Sequence, residues 1–266
     1  MKSYIVKIFA GASVSIIIAM NALNFLKLEN IDSLEYMYII SYGGLFTFDI
    51  EHNIFGFFKI LVPHILLIYL LAYYMYNDFK ICSVYVFTRS NKRKHWFIKK
   101  YFSLLFITAV YYFVQFLIVF LIGTIYKFRP ESIKLFTLIV TTDFILLTLT
   151  GFLLVISTNL LSFKLGTNFA YLSLIIADGA MIMLPAALHG VLDNLIIKLL
   201  PTSNGMLIWH SDNFLRLFSQ KLGFEFIEGF SVLFSIIYIL ILLAAIFFIG
   251  IRFIENLDVI NEEKEA

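Results

Sequence analysis

The stretch GFSVLFSIIYILILLAAIFFIGIRF, residues 229–253, contains a single charged residue, Arg252. About 20 consecutive apolar residues suffice for a helix to cross the hydrocarbon core of a bilayer, so this stretch predicts a membrane-spanning helix. The whole chain has the same character, since 61% of its 266 residues are hydrophobic, 14% are charged and its mean hydropathy is +0.92. Soluble domains are only about 45–50% apolar. The composition therefore predicts an integral membrane protein and excludes a water-soluble globule.

Five further apolar stretches precede this one, and together they predict an all-α membrane protein with six transmembrane helices in one domain, residues 1–266. The first stretch follows Lys2 but lacks a small-x-small cleavage site, so it predicts a retained helix and not a signal peptide. The predicted spans are residues 4–26, 56–76, 101–126, 133–161, 167–188 and 229–253.

Positive charge predicts the orientation of the spans. The connection 77–100 holds Lys80, Arg89, Lys92, Arg93, Lys94, Lys99 and Lys100 out of 20 lysines and arginines. Because cytoplasmic loops are enriched in these residues, we expect this connection and both termini to be cytoplasmic. The acidic connection between the first two spans then faces outward. The predicted location is the cytoplasmic (inner) membrane of a bacterium, with several passes.

The predicted extracellular loop, residues 189–228, is unusually apolar. Residues 192, 195, 196 and 199 are apolar at helical spacing, and Pro201 ends that pattern. A second helical stretch covers residues 211–222, with Ser211 or Asp212 as its N-cap. The pattern fits two short helices in or dipping into the outer membrane face, or an ordinary amphipathic surface loop.

The basic connection reads NDFKICSVYVFTRSNKRKHWFIKKYF over residues 77–102. Three explanations compete for it: a topology signal, a surface for anionic lipid head groups, and a docking element for a cytoplasmic partner. The apolar run at residues 81–87 favours docking, because a short helix presenting Tyr85 and Phe87 could fill a groove on a soluble protein.

This layout resembles the permease subunits of ABC-2-type transporters. Members of that family have six spans, a coupling helix between spans two and three, and two short outer helices between spans five and six. Arg93, Trp96 and Lys99 are similar to the end of the family's coupling loop, whereas Asp78 replaces the usual Glu and TRSNK replaces the small-residue turn. By this resemblance the ATPase-coupling residues are Asp78, Tyr85, Phe87, Arg89, Arg93, Trp96 and Lys99.

The resemblance also implies partners. The chain has no GxxxxGK[ST] phosphate-binding loop, so two copies of a separate P-loop ATPase subunit would bind ATP and Mg, beside a second permease chain and membrane lipid but no nucleic acid. The chain itself is predicted to be no enzyme and to bind no cofactor, since it lacks HExxH and GxSxG. His64, His189 and His210 are too scattered to predict a metal site.

Four polar residues fall inside predicted spans: His64, Gln115, Asp143 and Asp178. Ionisable groups in a bilayer are functional candidates, so one hypothesis is a proton or cation relay through Asp143 and Asp178. The other is helix packing or subunit contact, with partners among Thr141, Thr142, Thr148 and Thr150. Because the sequence indicates no basic residue at matching depth, we favour packing.

The leading functional hypothesis is an ATP-driven exporter subunit that moves an amphipathic or hydrophobic substrate, such as an antimicrobial peptide, a lipid or a drug. Thirty Phe and fifteen Tyr side chains offer an apolar lining for such a path. The alternatives are a secondary transporter or channel that uses Asp143 and Asp178, and a membrane immunity or sensor protein that transports nothing.

Overall fold

The computed structural model describes the backbone of residues 2–47, 50–79, 90–187 and 194–257. In this part of the chain the only β pairing is an isolated bridge between Ser33 and Arg129, and helices make up the rest of the regular structure. The helices are α1 (Lys2–Leu28), α2 (Leu34–Tyr42), α3 (Ile50–Leu71), α4 (Ser90–Ile125), α5 (Ile133–Leu165), α6 (Thr167–Ala187), α7 (Asn194–Lys198), α8 (Asn213–Leu222) and α9 (Val232–Glu255). Residues 74–79 resume the helix after α3, and 3-10 turns cover Ser203–Gly205 and Leu207–Trp209.

Six of these segments are long and apolar enough to cross a membrane, which confirms the prediction of an all-α chain with six such helices. They are Gly11–Leu28, Ile54–Phe79, Arg93–Ile125, Ile133–Leu165, Thr167–Pro185 and Val232–Glu255. The protein therefore has the architecture of a multi-pass membrane protein. The cytoplasmic placement of both termini stays a prediction. The proposed coupling residues Tyr85, Phe87 and Arg89 lie outside the described residues.

Helix α5 forms the centre of the bundle. Burial covers 72% of its most apolar window, against 17% for α6 and for α9. It contacts α3, α4, α6 and α9, so most of its surface meets protein. The outer helices instead expose large side chains such as Phe169 and Phe248, as helices that contact lipid do.

The third spanning helix begins earlier than residue 101, where the sequence analysis started it. Helix α4 starts at Ser90, so Arg93, Trp96 and Lys99 lie on a helix and the predicted loop 77–100 is shorter. Lysine and arginine have high helix propensity, and Trp96 and Phe97 are buried against the bundle. The predicted span began only after the charged residues, because they are not apolar, although the helix includes these charged residues.

We call the end of the bundle formed by residues 29–47, 126–132 and 194–231 the loop end. Helix α2 lies here with all nine residues buried, in the acidic connection that was predicted to face outward. Both oxygens of the Glu35 carboxylate are used, since Oε1 accepts from the backbone N–H of Ser132 and Oε2 from that of Glu131 and from the Ser33 hydroxyl. Ser132 precedes α5, so Glu35 supplies the negative charge that stabilises the start of that helix.

The segment between α6 and α9 packs onto the same end. The backbone N–H of Ile208 donates to Gly43 O at 2.9 Å, and the indole N–H of Trp209 donates to Leu45 O at 3.0 Å. Gly44 has φ +130°, and a Cβ there would lie 2.9 Å from Met206 Cβ, so only glycine allows this close approach.

Both short helices predicted in this segment are present. They are α7, Asn194–Lys198, and α8, Asn213–Leu222. Asp212 occupies the N-cap position of α8, but its side chain does not cap that helix. The Asp212 carboxylate instead accepts from the backbone N–H of Val232 at 2.8 Å, and so joins the segment to the start of α9.

Candidate functional site

Among the described residues, four Lys, His, Asp or Glu side chains are buried within the spanning segments: Lys59 and His64 on α3, Asp143 on α5 and Asp178 on α6. We call them the polar cluster. A charged side chain at the centre of a bilayer costs about 2.5–3.5 kcal/mol on insertion scales. Such residues need partners, and the cluster is therefore the first candidate for a functional site.

Asp178 has partners for both carboxylate oxygens. His64 Nδ1 lies 2.9 Å from Oδ2, and the Thr202 hydroxyl donates to Oδ1 at 3.0 Å. Because a carboxylate only accepts, Nδ1 carries the imidazole proton. The other ring nitrogen, Nε2, is buried and has no hydrogen-bond partner. The two contacts of Asp178 join α3, α6 and residues 194–231 at the loop end.

Asp143 is in the opposite situation. It is fully buried, and neither carboxylate oxygen has a hydrogen-bond partner. Lys59 interacts with it electrostatically, but the Lys59 ammonium donates to the backbone carbonyl of Ile40 and faces the Phe46 ring. The expectation that no basic residue lies at matching depth is therefore wrong, because Lys59 is buried in the same interior.

A small cavity lies between Lys59 and His64. Its lining includes Ser41 and Tyr112. The Ser41 hydroxyl, the Tyr112 hydroxyl and His64 Nε2 are all buried without a hydrogen-bond partner. Buried polar groups are nearly always hydrogen-bonded to protein or to ordered water, so three such atoms on residues that line one small cavity indicate a site for one ordered water molecule.

The threonines that were expected to satisfy the intramembrane carboxylates do not do so. Thr141 donates to Thr137 O in its own helix, and the hydroxyls of Thr148 and Thr150 have no partner. The hydroxyl that donates to Asp178 belongs to Thr202, which lies outside the predicted spans. Gln115 is buried on α4.

The second candidate region is the opposite end of the bundle, which we call the basic end: residues 74–79, 93–100, 162–166 and 252–257. Asp78 Oδ2 accepts from the Trp96 indole N–H at 2.7 Å and from the Lys100 ammonium at 2.9 Å. Lys100 also lies 4.7 Å from the centroid of the Tyr74 ring. These contacts join residues 74–79 to α4.

Arg93 binds the end of the last helix. Its Nη1 donates to Glu255 O at 3.2 Å and to Leu257 O at 2.9 Å, where backbone carbonyls lack helical partners. Three predicted coupling residues, Asp78, Arg93 and Trp96, thus make contacts within the chain. Lys99 is exposed, whereas Lys100, which the sequence analysis did not select, makes the ion pair with Asp78.

The fold and the cluster define a polytopic helical membrane protein with buried charges in its interior. Among the described residues, no three His, Cys, Asp or Glu side chains are placed to hold a metal ion. No protein-family model, curated protein or solved structure matches the chain significantly. Function must therefore be argued from the geometry of this chain.

Proposed function

We propose that the chain is the membrane-spanning subunit of an ATP-driven exporter of the ABC-2 type. The observation that supports this proposal most is the packing of the segment between the last two spanning helices. Short helices and turns in residues 194–231 bury Ile208, Trp209 and Phe230 against the bundle. An ordinary surface loop would leave such side chains exposed. Two short packed helices at this position are what the resemblance implies.

The loop end suits a gate over a transport path. Residues 194–231 pack on Gly43 and Leu45, and Thr202 reaches the buried Asp178. A rearrangement of this segment would therefore expose the interior of the bundle at one end only. Bulky aromatic side chains around that interior favour an amphipathic or hydrophobic substrate.

The basic end suits a docking site for an ATPase subunit. Residues 74–79 and α4 are joined through Asp78, so both ends of the intervening connection have fixed positions. A partner that pushes on this connection would move α4 and, through Arg93, the end of α9. The chain has no phosphate-binding loop of its own, so the ATPase would be a separate subunit.

Copurification tests this proposal. The full chain is purified from its native membrane in mild detergent, and the ATPase activity that accompanies it is measured. We expect wild type to retain an ATPase and Lys99→Glu, an exposed change at the basic end, to lose most of it. Lys134→Glu is the matched control, because Lys134 is also exposed but lies at the start of α5 near the loop end. The absence of ATPase activity with wild type, or equal loss in both variants, would refute the proposal.

A further inference from the structure

The charges of the polar cluster do not balance. Lys59 contributes one positive charge, Asp143 and Asp178 contribute two negative charges, and His64 is neutral when only Nδ1 is protonated, so the sum is one negative charge. All four side chains are buried among apolar residues. An uncompensated charge in such surroundings is strongly unfavourable, and buried groups exchange a proton with solvent to avoid it. The cluster therefore requires one additional proton.

The hydrogen bonds indicate where this proton is bound. Asp178 accepts from Thr202 and from His64, and donors of this kind stabilise the ionised carboxylate. Asp143 accepts from no donor, and the ammonium of Lys59 is turned to the carbonyl of Ile40. A carboxylate without donors is costly to bury, whereas a neutral carboxylic acid costs much less.

We propose that Asp143 is a proton-binding site, and that with the proton bound the cluster consists of a neutral Asp143, an ionised Asp178, a charged Lys59 and a neutral His64. The net charge of this arrangement is zero. The ligand is a proton from water, and no other reactant is needed. This inference does not depend on the ATPase partner.

The cavity connects two members of the cluster, Lys59 and His64. It lies between Lys59 and His64 Nε2 and has room for about one water molecule. A water there could accept from the Lys59 ammonium and donate to Nε2, with the hydroxyls of Ser41 and Tyr112 as further partners. This water would join Lys59 to His64, the partner of Asp178.

The other titratable groups around Asp143 do not take this proton. They are phenols, and a neutral phenol already carries its proton at neutral pH. Burial raises the pKa of Tyr38 and of Tyr42 on α2, so both phenols keep their own protons. The groups that face the cluster are Tyr38 and Tyr42 on α2, Lys59 and His64 on α3, Tyr111 and Tyr112 on α4, and Asp178 on α6.

Infrared spectroscopy of the full chain at about pH 7, in a detergent without ester groups, tests the assignment, because protonated carboxylic acids have a carbonyl band that carboxylates lack. We expect such a band in wild type, shifted in frequency by Asp143→Glu and unchanged by Asp178→Glu. The second variant is the matched control, since it makes the same change at the paired carboxylate. Absence of the band in wild type, or a shift in the control variant only, would overturn the proposal.

A variant that keeps the shape of the acid gives a second measurement if the longer side chain prevents folding. Asp143→Asn resembles the protonated acid, so we expect it to fold and to lose the band. Asp178→Asn removes a paired charge, and we expect a lower thermal unfolding temperature than for Asp143→Asn. The opposite order of stability would show that Asp143 is the ionised member of the cluster.

Discussion

Acidification should destabilise the protein through His210, which is fully buried at the loop end. Its Nδ1 donates to Leu207 O at 3.0 Å, and its Nε2 accepts from the Ser235 hydroxyl at 2.7 Å. The ring stacks on Phe230 with 4.3 Å between centroids. These contacts satisfy a neutral imidazole. Burial lowers the pKa of His210 from 6.5 to about 4.

The size of the effect follows from this pKa. Between pH 6.5 and pH 4 the unfolded chain binds a proton at this histidine and the folded chain does not, so stability falls as the pH falls. The contribution of the neutral imidazole is fully present above the unfolded pKa. The unfolded pKa of 6.5 lies about 1.5 units above pH 5. Acidification from neutral pH to pH 5 should therefore lower the free energy of unfolding by roughly 2 kcal/mol.

The assay is unfolding in mixed detergent micelles, followed by tryptophan fluorescence at pH 7.5 and at pH 5. Wild type is compared with His210→Gln, which cannot become charged, and with His95→Gln at an exposed position. We expect wild type and His95→Gln to lose about 2 kcal/mol more than His210→Gln on acidification. An equal loss in all three proteins would refute the argument that His210 is held neutral by burial.

Three further predictions each concern a single side chain, and those at Glu35 and Lys59 are measured by the same unfolding assay, whereas that at Arg93 is measured by proteolysis. Glu35→Gln should cost about 1.5–3 kcal/mol, because it removes a charged acceptor at the start of α5, whereas Glu29→Gln at an exposed position should be neutral. Arg93→Gln should release the carbonyls at the end of α9 and speed proteolysis of the C-terminus, and the exposed change Lys94→Gln should not. Lys59→Met should cost about 3–5 kcal/mol, because it removes the positive charge that balances the one ionised carboxylate of the buried cluster. A loss below about 1 kcal/mol would mean that no carboxylate of the cluster depends on Lys59.

Hydropathy predicted the spanning helices well because crossing a bilayer is a local requirement. A window of about 20 apolar residues is visible without knowledge of what it packs against. The last helix illustrates this, since residues 229–253 were predicted and Val232–Glu255 is observed. The predicted start of α4 at residue 101 was wrong for the same reason. Hydropathy detects apolar residues and not helical structure, and the helix begins at Ser90 and includes the basic residues that follow.

The burial of α2 could not be predicted, because it depends on partners far away in sequence. The Glu35 carboxylate accepts hydrogen bonds from the backbone N–H groups of residues 131 and 132, and the Gly43 carbonyl accepts one from the backbone N–H of Ile208. Local sequence shows only an acidic residue in a connection that was predicted to face outward. Tertiary contacts turn this residue into the cap of a helix about 100 residues later.

The candidate site was predicted in part. His64, Asp143 and Asp178 were selected because polar residues inside apolar spans are rare. Lys59 was within the predicted second span but was not paired with an acid, since lysines near span ends usually extend to the interface. The Thr202 hydroxyl was missed because it comes from a loop whose approach to Asp178 is a tertiary contact.

The contacts of the basic end change how ATPase coupling should be tested. Charge reversal at Arg93 removes the hydrogen bonds to the end of α9, and a change at Trp96 removes one to Asp78. Loss of activity in either variant would therefore follow from a displaced helix as readily as from a lost docking contact. Lys99 is exposed on the same helix one turn beyond Trp96. A change there alters the surface charge without breaking these contacts, so the docking proposal is tested at Lys99 and not at Arg93 or Trp96.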